Sequence, residues 1–112
     1  MESKAAMDAL VALAHETRLD IFRMLVRAGR DGMAAGAVAD ALGVPASTLS
    51  FHFKELKFSG VVKCRREGRS LIYSANFEAM TSLIGFLTEN CCEGEGFAGC
   101  GPSNPADISS RA

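Results

Sequence analysis

Three of the four cysteines in this 112-residue chain lie within Glu89 to Gly101, which reads ENCCEGEGFAGCG. Cys91 and Cys92 are neighbours, and Cys100 follows after a stretch holding three glycines. Side chains from consecutive Cα atoms splay, yet stay close enough to bind one soft ion. Closing a loop over so few flexible residues costs little. Three thiolates without a nearby histidine suit a thiophilic centre that accepts a three-sulfur pyramid. Trivalent arsenic is the clearest case, whereas structural zinc takes four ligands. The expected ligand of Cys91, Cys92 and Cys100 is therefore As(III) or Sb(III), or a methylated trivalent arsenical that needs only two sulfurs. The same thiols also suit a redox or sulfide switch or a soft divalent metal, and spacing leaves these open. Cys64 stands apart on an apolar run and reads as a small buried hydrophobe.

A chain of this length makes one domain. No apolar run approaches the roughly 18 residues of a membrane span. The amino terminus, MESKAAMDALVALAHETR, lacks a basic n-region and a small-residue cleavage site, so a cytoplasmic location is expected, with no membrane partner. In a reducing compartment cysteines bind metals, do redox chemistry or stay as plain thiols rather than forming structural disulfides. The net charge of −1 conceals an asymmetry. From Phe51 to Tyr73 six basic residues (Lys54, Lys57, Lys63, Arg65, Arg66, Arg69) face two acidic ones (Glu55, Glu67), a local net of +4 against −5 elsewhere. Such concentration is what phosphate binding needs.

The elements that would position these groups are legible from periodicity. Ala6, Leu10 and Leu13 predict a first helix over Ala5 to Leu13. HETRLDIFRMLVRAGRDG predicts a second, with Thr17 as N-cap, Leu19, Phe22, Leu25 and Val26 on one face, and Gly29 near its end. MAAGAVADALGV predicts a third, with Ala35, Val38, Ala39 and Leu42 inward and Gly43 as stop. After a short break, Pro45 favours initiation of a fourth that ends at Gly60. Its Leu49, Phe53 and Leu56 share a face and leave Ser47, Thr48, Ser50, Phe51 and Lys54 pointing elsewhere. Two helices joined by a tight turn, the second with a polar and basic outer face, make a helix-turn-helix candidate. VVKCRR and SLIYSA then read as a hairpin around Glu67-Gly68-Arg69, with Gly68 supplying positive φ. A fifth helix is expected from about Phe77 to Asn90, with Phe77, Met80, Ile84 and Leu87 as its stripe. There is no internal repeat.

Helix, helix, helix-turn-helix, hairpin and helix, over roughly Ala5 to Asn90, resembles the ArsR/SmtB family of winged-helix repressors. LAHETRLDIFRML is similar to the family's L-x-x-x-x-R-L-x-I-L opening, STLSFHFKELKFSGVV to its recognition helix and exit, and RREGRSLIYS to its wing. The resemblance implies a mainly α winged helix-turn-helix fold with a small β-hairpin. It further implies a homodimer through the first and last helices that represses transcription on operator DNA, the arsenic-responsive type releasing that DNA on binding the metalloid. Unpaired apolar stripes on the two flanking helices agree with dimerisation. Residues 1–90 would form the DNA-binding and dimerisation domain, 91–101 the Cys-rich metalloid segment and 102–112 a disordered tail. The sequence also departs from the family. The Cys-x-Cys pair of the third helix is missing from AAGAVADAL, and the zinc-site histidines of the fifth helix are absent, since His15 and His52 are the only histidines.

Within this reading Ser47, Thr48 and Ser50 at the start of the recognition helix can reach base edges or phosphates, with Phe51 beside them and Lys54 one turn on. His52 either contacts DNA or packs. Arg66 and Arg69 flank the wing tip, where arginines enter minor grooves or bind phosphates. Solvated polar faces and solubilising basic tips are the plain alternatives. A thiol enzyme such as an arsenate reductase would need an arginine beside the cysteines in a phosphate-like cradle. Arg111 is the only basic residue near or beyond the cluster, so no enzyme and no permanently bound cofactor are expected. A non-sensing architectural DNA binder is the third class.

Overall fold

The computed structural model describes residues 1–94 of the chain. Cys100, Arg111 and the expected tail at 102–112 lie outside the described residues. The order of elements is α1 (Ser3–Leu13), α2 (Glu16–Ala28), a 3-10 turn (Gly29–Asp31), β1 (Met33–Ala34), α3 (Ala35–Leu42), α4 (Ala46–Phe58), β2 (Val62–Glu67), β3 (Ser70–Ala75) and α5 (Phe77–Leu87). The described residues thus give the expected winged helix-turn-helix, with one addition. β1 joins the hairpin to make an antiparallel sheet of order β1-β3-β2, pairing Met33 with Tyr73 and Ala34 with Ile72. Gly32, just before it, adopts φ +73, and a Cβ there would collide with the Tyr73 carbonyl oxygen. Glycine is therefore what lets the chain lie against β3.

The core sits where α2, α3 and α4 meet the sheet. Ile21, Leu25, Val38, Leu49, Phe53 and Leu56 are its largest fully buried side chains. The Phe53 ring stacks on Tyr73 at 3.8 Å and 9°. That contact seats the recognition helix directly on the wing sheet. α3 ends in the left-handed Gly43 at φ 67, and Pro45 precedes α4 as its N-cap residue. Between these two ends only a tight turn fits. The exit of α4 is tied by Asn76, whose Nδ2 donates to the Gly60 carbonyl at 2.9 Å while its Oδ1 accepts from Ala79 N at 3.1 Å, capping α5.

Several faces differ from the expected pattern. Thr17 does not cap α2; His15 does, its Nδ1 accepting from the Thr17 backbone N–H at 3.2 Å. The inner face of α2 runs through Ile21, Phe22 and Leu25, and Leu19 is exposed. In α1 the buried residues are Ala6, Ala9 and Ala12, so Leu10 points out with Met7 and Val11. In α5 Leu83 is the buried residue; Phe77 and Met80 pack against the core, but Ile84 and Leu87 are 56% and 58% exposed. The physical reason is common to both helices. Each lies at the edge of the domain and buries one narrow side, leaving its larger aliphatic residues on the other. α5 also stops at Leu87, where Thr88 Oγ1 donates back to the Ile84 carbonyl at 2.8 Å. The chain then turns through Asn90 and Cys92 with φ of 59 and 70.

Candidate functional site

α4 presents two unlike sides. Leu49, Phe53 and Leu56 anchor it, while Ser47, Thr48, Ser50, Phe51 and Lys54 are exposed. The hairpin turn at Gly68, φ 63, projects the wing, with Arg66 exposed near its tip and Arg69 at the turn. Among the described residues, Lys54, Arg66 and Arg69 take part in no ion pair. Arg65 is used differently. Its Nε pairs with Glu67 at 2.8 Å and an Nη donates to the Asp31 carbonyl at 2.9 Å, bracing the wing against the 3-10 turn. Lys63 and Arg30 both reach Glu78 on the first turn of α5, at 3.3 Å and 3.2 Å. That carboxyl is held below its ordinary value, first by a backbone N–H at the helix start and then by these two cations.

His52 takes the packing role of its two expected ones. It is 7% exposed and turned beneath α4. Its Nδ1 accepts from Arg18 Nε at 3.2 Å, and its ring lies 4.7 Å from that of His15. Burial, then the neighbouring His15 and Arg18, push its pKa below the usual histidine value. The shift favours the neutral imidazole, the form in which Nδ1 can accept from Arg18. Arg18, the arginine of the LAHETRLDIFRML opening, received no place at the site from the sequence, since its partner is 34 residues away. The available signal was its place at position 18 of an 18-21-22-25 stripe, the inner face of α2.

Past the end of α5, Cys91 and Cys92 have their sulfurs 3.0 Å apart. The left-handed backbone at Asn90 and Cys92 is costly for residues with a Cβ, and such conformations concentrate at ligand-binding and switch segments. Among the described residues no group of three His, Cys, Asp or Glu side chains is placed to hold a metal ion; the third expected ligand, Cys100, is outside them. Cys64 is half-buried rather than in the core. It faces Tyr73 across the β2–β3 pair, and burial together with a hydrogen bond from this pair raises the Tyr73 pKa. No helix among the described residues is long and apolar enough to cross a membrane.

A buried-backed helix with a polar outer face, preceded by a tight turn and flanked by a basic hairpin, defines a winged helix-turn-helix transcriptional regulator. The comparisons agree. A family described as a helix-turn-helix domain matches residues 13–65. The nodulation protein NolR of Rhizobium meliloti is 32% identical over 88 residues, 79% of this chain and 70% of that protein. The homodimeric winged helix-turn-helix DNA-binding domain of a possible ArsR-family regulator from Mycobacterium bovis superposes with a TM-score of 0.63 at 28% identity, over 82% of this chain and 85% of that one. Reduced HlyU from Vibrio cholerae gives a TM-score of 0.62 at 28% identity, over 80% and 92%. The chain belongs to the ArsR-like family of winged helix-turn-helix transcriptional regulators.

Proposed function

We propose that the chain is a homodimeric repressor that holds operator DNA through α4 and the wing and lets it go when As(III) or Sb(III) binds Cys91, Cys92 and Cys100. The observation that carries the sensor half is the pair of sulfurs 3.0 Å apart at the carboxyl end of α5. Two sulfurs so placed can bind one thiophilic ion together. Three thiolates with no histidine beside them suit a pyramidal three-sulfur centre better than four-coordinate zinc. Ser47, Thr48, Ser50, Phe51 and Lys54 would meet the groove and backbone, and Arg66 and Arg69 the flanking phosphates or minor groove. The homodimeric Mycobacterium bovis relative supports pairing, and the exposed aliphatic residues Leu10, Val11, Ile84 and Leu87 point to α1 and α5 as the helices that pair.

Release requires that the ion bind free dimer more tightly than operator-bound dimer, and a coupling of about 1–3 kcal/mol gives a loss of DNA affinity of about 5- to 150-fold. A second reading has its own support. Neighbouring sulfurs also suit a thiol switch, and the HlyU relative was solved in its reduced form. Titrating the reduced, operator-bound protein with arsenite, zinc, cadmium and an oxidant decides between them. Arsenite alone should release the parent, Cys91→Ser and Cys92→Ser should bind DNA yet ignore arsenite, and Cys64→Ser should respond as the parent does. Release by oxidant but not by arsenite would overturn the metalloid reading in favour of the redox one.

A further inference from the structure

Arg18 lies on α2, outside the segment that carries the excess positive charge, yet its side chain ends on the recognition helix. Its Nε donates to His52 Nδ1 at 3.2 Å. Its guanidinium carbon stands 5.6 Å from the centre of the Phe51 ring, and Phe51 is exposed on the outer side of α4. The two terminal nitrogens of Arg18 have no protein partner among the described residues, and no side-chain nitrogen there is both buried and unsatisfied. They therefore reach solvent, beside the exposed Phe51 ring on the outer side of α4. A guanidinium held through Nε and lying within cation–π distance of a ring has its outer edge, the fork that fits phosphate oxygens, restricted in orientation.

We propose that Arg18 is a DNA-contacting residue, its terminal nitrogens gripping a backbone phosphate beside the amino-terminal half of α4, and that His52 is the positioning residue that aims it. The inference rests on the DNA-binding reading of α4. It adds a fourth cation to Lys54, Arg66 and Arg69, contributed by a different helix, and gives buried His52 a part in DNA binding without touching DNA. The neutral imidazole is essential to this arrangement, because a proton on Nδ1 would remove the acceptor and set a cation against Arg18 and beside His15.

Phosphate contacts are independent of sequence, so a mixed-sequence DNA duplex is a sufficient probe, with affinity measured against salt. Arg18→Gln keeps a donor for His52 and loses the charge. It should fold and dimerise as the parent does, bind about tenfold more weakly near physiological salt, and show a salt slope lower by about one unit. His52→Leu should weaken binding several-fold with the Arg18 charge still present, while His52→Asn, whose Oδ1 stands close to the place of Nδ1, should restore it. A folded Arg18→Gln with the parent's affinity and slope would reduce Arg18 to a packing role and overturn the proposal. Equal weakening by His52→Leu and His52→Asn would overturn the positioning half. Failure of the parent itself to bind the duplex would instead sink the DNA-binding reading of α4.

Discussion

α1 and α4 are both amphipathic, and they distribute their residues in opposite ways. α4 buries Leu49, Phe53 and Leu56 and shows hydroxyls and a lysine to the outside, with the rings of Phe51 and Phe58 its only large apolar groups there. α1 buries three alanines and shows Met7, Leu10 and Val11. α5 follows α1, with Ile84 and Leu87 outward. A surface meant for water or phosphate can be polar at no cost, but an exposed aliphatic face is tolerated only if something covers it. The difference separates the end of the molecule suited to nucleic acid from the side suited to a second copy of the chain.

The comparison can be broken most severely at the aliphatic side. Leu87 is largely exposed in one protomer, so Leu87→Glu should leave the monomer folded while removing apolar burial from both halves of a two-fold interface. The expected loss is about 3–6 kcal/mol per dimer. Sedimentation should show monomer with native helical signal, and a persisting dimer would mean that α5 is not the interface. At the buried side of α4, Phe53→Ala should cost about 3–5 kcal/mol of unfolding free energy, because it leaves a cavity beneath the recognition helix and removes the stack on Tyr73. Chemical denaturation measures this, and a loss below about 1 kcal/mol would contradict the packing described. At the outer side of the wing the effect is smallest. Arg69→Ala should leave stability and thiol chemistry alone and lower the DNA salt slope by about one unit. An unchanged slope would remove the wing from the DNA surface.

Much of this architecture was legible because glycine and proline punctuate it. Gly43 and Pro45 bound the turn before α4, and Gly68 makes the hairpin, each by a local backbone preference that sequence displays. The 3.6-residue period likewise located the inner face of α4. What escaped depends on partners far along the chain. β1 is two residues long and exists only because β3, some forty residues on, offers it a ladder. The hydrogen bond between Arg18 and His52 spans 34 residues. The stripes expected on α1 and α5 divide between two sides: Ala6, Leu13, Phe77 and Met80 pack on the core, while Leu10, Ile84 and Leu87 stay exposed as stripes left open for a partner should, and periodicity cannot say which residue takes which side. On the candidate sites, exposure and outward direction of the α4 hydroxyls followed from the pattern, and so did the closeness of Cys91 to Cys92, which adjacency dictates.

The alanines beneath α1 have a mechanical consequence. Helices that meet through alanine approach more closely than those separated by leucine or phenylalanine, and no long side chain remains between them to yield by changing rotamer. α1 packs on both α2 and α4. In a dimer joined through α1 and α5, Ala6, Ala9 and Ala12 act as a gauge block between the two-fold axis and the recognition helix. A larger residue at any of the three would lift α1 and, in a dimer of that kind, change the span between the paired recognition helices.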